Sequence, residues 1–359
     1  MITVFKRALA GGAISLRRTL SAVLFQRRQA RRRAAAHRRG LVVPAVLIAS
    51  VTRRCNLNCA GCYAKTLRPA ADGERGAELS DERYMRLFRE AVDLGVGVFL
   101  VAGGEPLVRR GLLEKLAALR GPIVLVFTNG TLIGDDALGL FSRTVFPVFS
   151  VEGSAAFTAE RRGTGVHEKA LERAREIRDR GGLFGLSVTV TSENAATVLS
   201  PAFRQSVAEL GAAALFLVEF VPVAPGSGHL VLTDGQRAAL NDSGLQAKMP
   251  CPVIVLPGDE EAYGGCMAAG RGFIHLAPDG TLEACPFAPY SDVNADRVGL
   301  AAALNSPLMR AIRERHHELT ETNGGCALAD KAGWVASLGA CLPEEKSGRA
   351  EAAFEPASR

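Results

Sequence analysis

Three cysteines, Cys55, Cys59 and Cys62, fall within eight residues, directly after an apolar run over residues 45–51. The run is about one buried strand long, which predicts that the cysteines lie on the loop leaving its C-terminal end. Their gaps of three and two residues differ from the paired C-x2-C spacing of structural zinc sites, and no Cys or His follows within the next hundred residues. Three thiolates without a local fourth ligand favour zinc, or an iron–sulfur cluster with one open position.

The basic character of the chain is confined to its first forty residues. Residues 1–40 contain eleven Lys and Arg and no acidic residue. Subtracting them from the 43 Lys and Arg of the whole chain leaves 32 basic against 37 acidic side chains, so the remainder is net acidic and no nucleic-acid partner is expected. The eleven cations are Lys6, Arg7, Arg17, Arg18, Arg27, Arg28, Arg31, Arg32, Arg33, Arg38 and Arg39.

The same forty residues carry an apolar stripe at helical spacing, which beside arginine clusters is typical of a helix lying on a membrane surface. They contain no run of about 18 apolar residues that could span a bilayer, and charged pairs interrupt any secretory signal. We expect an arm on an anionic membrane, at the inner face, in a cytoplasmic protein. The alternative is an arm that is disordered or packed on a partner. The stripe consists of Phe5, Leu9, Ala13, Leu16, Leu20 and Val23.

From residue 41 onward, short apolar runs alternate with amphipathic segments, the pattern of parallel β/α units. Right-handed crossovers between such units close into a whole or partial barrel. The fold class is therefore predicted as α/β, with a partial barrel of six strands and helices over residues 41–235. The strands are expected at residues 45–51, 96–101, 123–127, 145–151, 183–190 and 214–221, and the helices are expected to begin near Asp81, Gly111, Asp135, His167 and Pro201.

Motifs follow four successive strands at their C-terminal ends, where α/β barrels build their sites. After the cysteine loop come residues 102–106 (AGGEP), 128–131 (TNGT) and 150–153 (SVEG). Glycines at positions 103 and 104 let backbone approach a ligand closely, and Glu105 can accept hydrogen bonds from an ammonium group. Any one motif is compatible with ordinary turn chemistry. Four of them in register predict a single site.

The cysteine loop and the GGEP segment resemble those of the radical S-adenosylmethionine (SAM) superfamily. This resemblance implies a [4Fe-4S] cluster on Cys55, Cys59 and Cys62, whose open iron binds the amino and carboxylate groups of SAM. The family usually has an aromatic residue just before the third Cys, where this chain has Gly61. By the same resemblance, the cofactor pocket comprises Gly103, Gly104, Glu105, Asn129, Ser150, Glu152 and Arg162, with Arg161 an equal candidate for the last position.

The activity implied by the resemblance is reductive cleavage of SAM to a 5′-deoxyadenosyl radical, which abstracts hydrogen from a substrate. A reducing partner such as flavodoxin or ferredoxin would supply the electron. The substrate stays open among peptide, lipid and small metabolite. Two other classes are also open: a non-catalytic iron–sulfur protein for electron transfer or sensing, and a structural zinc protein.

Five further cysteines follow the predicted barrel, and two of them bracket a predicted hairpin. Residues 273–276 (FIHL) and 281–284 (TLEA) are largely apolar and are joined by Pro278-Asp279-Gly280, a strong turn signal. Thirteen residues separate Cys266 from Gly280, and four separate Gly280 from Cys285. This spacing resembles the SPASM or twitch extension of the same superfamily, which implies an auxiliary iron–sulfur cluster. The ligands expected are Cys266, Cys285 and Cys326, with Cys251 or Cys341 as a candidate fourth.

The chain is thus predicted to have four parts. They are the arm (1–40), the barrel (41–235), a SPASM-like or twitch-like domain (236–342) and a polar tail expected to be disordered (343–359). Within the third part, a helix is predicted over residues 306–317, with Pro307 near its first position.

Overall fold

The computed structural model describes residues 16–68, 77–141, 144–256, 263–320 and 326–339. The first fifteen residues of the arm, Cys341 and the predicted tail lie outside these ranges. Among the described residues, no helix is both long and apolar enough to cross a membrane.

Nine strands form one sheet in the order β7-β6-β5-β4-β3-β2-β1-β8-β9. All neighbouring pairs are parallel except β8 and β9. The six strands expected from the sequence are all present, and the predicted partial barrel is confirmed. The strands are β1 (Val46–Ser50), β2 (Val98–Ala102), β3 (Ile123–Thr128), β4 (Val145–Val151), β5 (Gly185–Val190), β6 (Ala214–Glu219), β7 (Val253–Leu256), β8 (Phe273–Leu276) and β9 (Leu282–Glu283).

Helices alternate with the barrel strands and continue after them. They are α1 (Leu16–His37), α2 (Tyr63–Leu67), α3 (Asp81–Leu94), α4 (Arg110–Ala117), α5 (Ala155–Arg162), α6 (Val166–Asp179), α7 (Ala195–Val198), α8 (Pro201–Leu210), α9 (Asp234–Asn241), α10 (Ser243–Ala247), α11 (Ala295–Val298), α12 (Leu300–Leu304), α13 (Pro307–Glu314), α14 (Ala327–Asp330) and α15 (Ala332–Gly339). Short 3-10 turns occur at Pro106–Arg109, Leu138–Leu140, Ser227–Leu230 and His316–Glu318.

The helix expected near Asp135 is absent, and this part of the prediction is wrong. Only the 3-10 turn Leu138–Leu140 forms there. Two glycines, Gly134 and Gly139, lower the helix propensity of this short connection, and β4 begins six residues after Gly139.

Local sequence signals explain where the barrel helices begin and end. Ser80 caps α3 by accepting a hydrogen bond from the Arg83 amide, and Gly95 ends the helix in a left-handed conformation, with φ 119°. The buried face of α3 packs on β2, where the ring centroids of Phe88 and Phe99 are 4.8 Å apart. A covering helix is thereby fixed on one side of the sheet.

The two faces of the barrel strands differ in burial. In β2 and β3, Phe99, Val101, Val124 and Val126 are fully buried. The alternating residues, such as Leu100 and Leu125, are only partly buried. Because side chains alternate across a strand, the first set faces the helices and the second faces the interior of the partial barrel. The C-terminal strand ends surround the opening of this interior.

The sheet continues past residue 235 at both edges. Strand β7 pairs with β6, and β8 pairs with β1, so the segment expected to carry the auxiliary cluster adds strands to the barrel sheet itself. The predicted hairpin is confirmed, with His275 opposite Glu283 and Leu276 opposite Leu282. Helix α13 lies within the predicted range, and its cap Ser306 accepts from the Met309 amide.

The described part of the arm is a helix that packs on the base of the barrel. Amide and guanidinium groups of α1 donate to backbone carbonyls of residues 92–97, which precede β2: Gln26 to Gly97 at 2.9 Å, Gln29 to Val96 at 2.8 Å and Arg33 to Gly95 at 2.6 Å. A Cβ at Gly97 would lie 2.2 Å from the Gln26 Oε1 atom. Helix α1 therefore lies at the end of the barrel opposite the cysteine loop.

Candidate functional site

The three cysteines of residues 55–62 lie on the loop after β1. Cys55 is exposed, whereas Cys59 and Cys62 are half-buried. Burial raises the pKa of Cys55 and Cys59, and the charge of neighbouring thiolates in the loop raises both further. The three sulfur atoms are thus close enough to interact and remain accessible from solvent, which suits ligands of a cluster that must meet a second molecule.

The GGE segment holds the chain that leads into this loop. The Gly104 amide donates to the Thr52 carbonyl at 2.7 Å, and the Glu105 amide donates to the Arg54 carbonyl at 2.9 Å. A Cβ at Gly104 would lie 2.1 Å from the Arg54 oxygen. Sequence reasoning assigned these glycines to close approach of a ligand. In the structure, the close approach is to the protein's own backbone, just before Cys55.

The Glu105 carboxylate joins the ends of β2 and β3. It is buried, and burial raises its pKa, although hydrogen bonds oppose the rise. Oε1 accepts from the Leu107 amide at 3.1 Å and from the Thr128 hydroxyl at 2.8 Å, and Oε2 accepts from the Asn129 amide at 2.9 Å. A carboxylate has about four acceptor positions, so roughly one is left for a ligand.

Asn129 contacts the cysteine loop through residues that sequence reasoning missed. Its Nδ2 donates to Asn56 Oδ1 at 2.9 Å, and Asn56 Nδ2 donates to the Thr131 hydroxyl at 2.7 Å. Thr131 was visible only as part of a turn motif, and Asn56 only as a residue between two cysteines. Together the three side chains fasten the loop to the end of β3.

Glu152 and two arginines form a buried charged group beside the cysteine loop. Glu152 follows β4, and its Oε1 accepts from Arg161 Nη1 at 2.7 Å and from Arg162 Nε at 2.6 Å. Glu152 Oε2 is buried without a hydrogen-bond partner among the described residues. The positive charges of both arginines lower the pKa of Cys59 against the rise caused by burial. Both arginines therefore belong to the site, and a buried acceptor oxygen remains available to a donor.

Further contacts fix the middle of the cysteine loop. The Ala60 amide donates to the Arg161 carbonyl at 2.9 Å, which ties the loop to the end of α5. Gly61 has a φ of +61°, and a Cβ there would lie 3.2 Å from the Phe220 ring. Phe220, which directly follows β6, thus places an aromatic ring against the position where an aromatic residue was expected. Ser150 is half-buried in β4.

The C-terminal cysteines Cys266, Cys285 and Cys326 come together in the structure. All three are buried. A hydrogen bond with Cys326 and burial raise the pKa of Cys285 well above its ordinary value, with a further contribution from the charge of Cys266. Cys251 is buried just before β7, at the sheet edge opposite β8.

Neither cysteine set is arranged around one metal ion. Among the described residues, no three Cys, His, Asp or Glu side chains meet the geometry of a single bound ion. In a [4Fe-4S] cluster each thiolate binds a different iron, so the sulfur atoms need not converge on one point. The donor chemistry of both sets, thiols alone, fits such a cluster.

Comparison with known proteins agrees with the geometry. Residues 49–199 match the model of the Radical SAM superfamily. The chain is 32% identical over 154 residues to Fe-coproporphyrin III synthase of Methanosarcina barkeri, covering 42% of this chain and 38% of that protein. It is 29% identical over 201 residues to a probable GTP 3',8-cyclase of Methanopyrus kandleri, covering 53% and 61%. The matches thus span less than two thirds of either relative.

The fold is also similar to a solved structure, that of Streptococcus suis SuiB bound to the precursor peptide SuiA. The TM-score is 0.60 at 17% identity, covering 82% of this chain and 72% of SuiB. Because identity is this low, the similarity concerns the fold. The cysteine loop, the strand-end motifs and the family match together identify residues 49–199 as a radical SAM superfamily domain.

Proposed function

We propose that this protein is an enzyme that binds a [4Fe-4S] cluster through Cys55, Cys59 and Cys62 and reductively cleaves SAM there. The 5′-deoxyadenosyl radical formed would abstract hydrogen from a substrate C–H bond. The observation that carries the proposal is the charged group of Glu152, Arg161 and Arg162. It lies beside the accessible thiols and presents a buried carboxylate oxygen with no partner among the described residues.

The protein's residues have separable roles in this proposal. Glu152 Oε2 would accept a hydrogen bond from a ligand hydroxyl, because a buried acceptor left unpaired costs free energy. Arg161 and Arg162 hold the other oxygen of Glu152 and bring positive charge to the thiolates. Glu105, after β2, and Asn129, after β3, hold the cysteine loop in place. Ser150, half-buried in β4, would be a further contact for the cofactor.

The substrate class is not narrowed by the relatives. Their names indicate a porphyrin and GTP, and SuiB was solved with a peptide. Peptide, lipid and small metabolite therefore all remain candidates here. The electron would come from a reducing partner such as flavodoxin or ferredoxin, since the proposed cleavage consumes one electron.

The test is formation of 5′-deoxyadenosine by the reconstituted, chemically reduced protein. The wild type should form it, and the variant with Cys55, Cys59 and Cys62 all changed to Ala should not. Gly139→Ala, where an added Cβ would meet nothing within 4 Å, is the control and should behave as the wild type. Binding of SAM without cleavage would instead support an electron-transfer or sensor protein. Cleavage by the triple variant would refute the cluster assignment.

We also propose that Cys266, Cys285 and Cys326 bind an auxiliary iron–sulfur cluster. The support is their common burial and mutual contact, although they come from three separate segments of the chain. Two anchors hold Cys266 in place: its amide donates to the Leu319 carbonyl at 3.0 Å, and its carbonyl accepts from Arg271 at 2.7 Å.

For the arm, we propose that the outer face of α1 docks on an anionic membrane surface at the inner face of the membrane. Leu20 and Leu24 are 57% and 55% exposed, and Arg27, Arg28 and Arg31 are exposed on the same helix. The opposite face of α1 packs on the barrel. Of the apolar stripe expected from the sequence, Leu20 is exposed and Val23 is half-buried, and Phe5, Leu9 and Ala13 lie outside the described residues. Apolar insertion and charge attraction together favour lipid.

Vesicle co-sedimentation tests the docking without removing α1, whose deletion would uncover the base of the barrel. Changing Leu20 and Leu24 to Ser should weaken binding at all salt concentrations. Changing Arg27, Arg28 and Arg31 to Glu should abolish the preference for anionic over neutral vesicles. As a control, Arg38→Glu alone should have a small effect. Equal sedimentation of wild type and both multiple variants would contradict the proposal.

A further inference from the structure

The chain that carries the first cysteine set is joined to the hairpin that carries Cys285 by buried polar contacts. Arg68, which directly follows α2, forms an ion pair with Glu283 of β9. The exposed fractions of the two side chains are 2% and 5%. Arg68 Nη1 also donates to the carbonyl of Pro286 at 2.9 Å. One guanidinium group therefore contacts residues on both sides of Cys285.

The backbone of Arg68 is close in sequence to the first cysteine set. Helix α2 begins directly after Cys62, and the Arg68 amide donates to the Ala64 carbonyl at 3.0 Å. Five residues, all of them in the helix, separate Cys62 from Arg68. A change in the position of Arg68 is thus transmitted to Cys62 through one short helical turn.

A ring contact runs parallel to this link. The rings of Tyr63 and Phe287 have centroids 4.7 Å apart at an interplanar angle of 59°. Tyr63 directly follows Cys62, and Phe287 lies two residues after Cys285. The two cysteine-bearing segments consequently touch through an aromatic pair as well as through the ion pair.

The network extends to the strands beneath. His275 Nδ1 lies 2.8 Å from Glu283 Oε2, and its Nε2 lies 2.8 Å from the Ser50 hydroxyl. Ser50 ends β1, the strand that leads into the first cysteine set. Glu283 is therefore held by two partners, and the chain before Cys55 and the chain after Cys62 are both connected to the hairpin.

Burying such a charged network is costly, and apolar residues often stabilise a core as well or better. We propose that Arg68 is a positioning residue that fixes the placement of Cys285 relative to Cys62, so that the two cysteine sets form one coupled unit. The inference rests on the proposed function, in which both cysteine sets bind clusters. It concerns the thiols themselves, and it can be tested on iron-free protein, where SAM cleavage plays no part.

The experiment measures the alkylation rate of each cysteine in the full, iron-free chain, with N-ethylmaleimide and mass spectrometry. In Arg68→Gln, both Cys285 and Cys62 should react about tenfold faster, because each loses the contact that limits its local opening. Cys251, which takes no part in the contacts described above, should not change. Arg68→Lys keeps the charge and should show the same paired pattern with a smaller increase.

The matched control is Arg237→Gln. Arg237 forms a comparable buried ion pair with Glu219, at 2.8 Å, at the end of β6. This variant should leave the rates of both Cys62 and Cys285 unchanged. A rise at Cys285 alone would make Arg68 a local structural residue and overturn the proposal. No change in Arg68→Gln, or an equal rise at every cysteine including Cys251, would also overturn it.

The loaded protein gives a second readout should Arg68→Gln unfold. Arg68→Lys, reconstituted with iron and sulfide, should keep the wild-type iron content, yet show an altered electron paramagnetic resonance spectrum of the reduced clusters. Reduced iron content in Arg68→Lys, or an unaltered spectrum together with wild-type alkylation rates, would count against a positioning role.

Discussion

The two cysteine sets of this chain differ in how they are built and in what surrounds them. The first set lies on one loop, with Cys55 exposed beside the open end of the barrel. The second is assembled from three segments, and all three thiols are buried. An accessible set suits a cluster that must bind and release a second molecule, whereas a buried set suits a permanently enclosed group.

The surroundings differ in charge as well. Around the first set lie Glu152 with its two arginines and, beyond them, Glu105. The second set has a hydrogen bond between two of its own thiols, and the charged side chains beside Cys285, Arg68 and Glu283, are paired with each other. Charged groups that remain only partly paired point to a binding site, so the first set is where substrate chemistry is expected and the second is where it is not.

The largest expected effect separates the two sets by iron content. Changing Cys55, Cys59 and Cys62 to Ala should remove about four iron atoms, and changing Cys266, Cys285 and Cys326 to Ala should remove a similar number. Only the second variant should also lower the stability of the iron-free protein, by on the order of 1 kcal/mol per buried position. Iron analysis and thermal unfolding measure the two outcomes.

This prediction fails if the second triple variant keeps all of its iron, since Cys266, Cys285 and Cys326 would then be ordinary buried thiols. It also fails if the free energy of unfolding falls equally in both variants, because the burial of the second set's thiols would then make no difference to stability.

A smaller effect is expected from Gly104→Ala, which should disturb the first set alone. The added Cβ would lie 2.1 Å from the Arg54 oxygen, so the backbone before Cys55 must move. Overpacking of this kind typically costs about 1–3 kcal/mol. We expect weaker SAM binding by calorimetry and less iron on the first set, with the second set intact.

Gly139→Ala is the matched control, because a Cβ there meets nothing within 4 Å. It should bind SAM as the wild type does. Wild-type SAM affinity in Gly104→Ala would show that the glycine is dispensable and that the close backbone contact does not order the loop.

The same contrast explains how much the sequence could predict. The first set follows from spacing alone, because Cys55, Cys59 and Cys62 are neighbours in the chain and the apolar run places them after a strand. The partial barrel follows from strand and helix periodicity. The proximity of Cys326 to Cys285 depends on tertiary packing of distant segments, so it rested on resemblance and could not be deduced from the residues.

Other contacts had no readable signal. Arg68 is one of many arginines in the sequence, and nothing local marks its ion pair with Glu283. Phe220 reads as the end of an apolar run, and its contact with Gly61 depends on how β6 curves toward the cysteine loop. The pairing of β8 with β1 was missed, since a predicted hairpin does not reveal which sheet it joins.

The smallest expected effect concerns His275, which lies between the two sets. Burial and, less strongly, the positive charge of Arg68 lower its pKa, so the folded protein holds it neutral. For Glu283, burial alone would raise the pKa, but Arg68 and His275 together lower it to about 2. The ionised carboxylate can only accept, so His275 Nδ1 donates to Glu283 and its Nε2 accepts from Ser50.

Acid should therefore reduce the stability that His275 and Glu283 contribute to the folded protein, and it should do so in two stages. Below about pH 6.5, the unfolded chain takes up a proton at His275 that the folded chain resists, so stability falls as the pH falls. The contribution of Glu283 is fully present above its ordinary pKa and is lost only as the pH falls toward 2. Because one proton is involved, His275 changes the free energy of unfolding by at most about 1.4 kcal/mol per pH unit.

Urea unfolding of iron-free protein between pH 7 and pH 5 should thus show a shallower pH dependence in His275→Gln than in the wild type. Identical slopes would mean that His275 takes up its proton at the same pH in the folded and the unfolded chain, and the neutral His275 assigned to the folded protein, with its hydrogen-bond directions, would then be wrong.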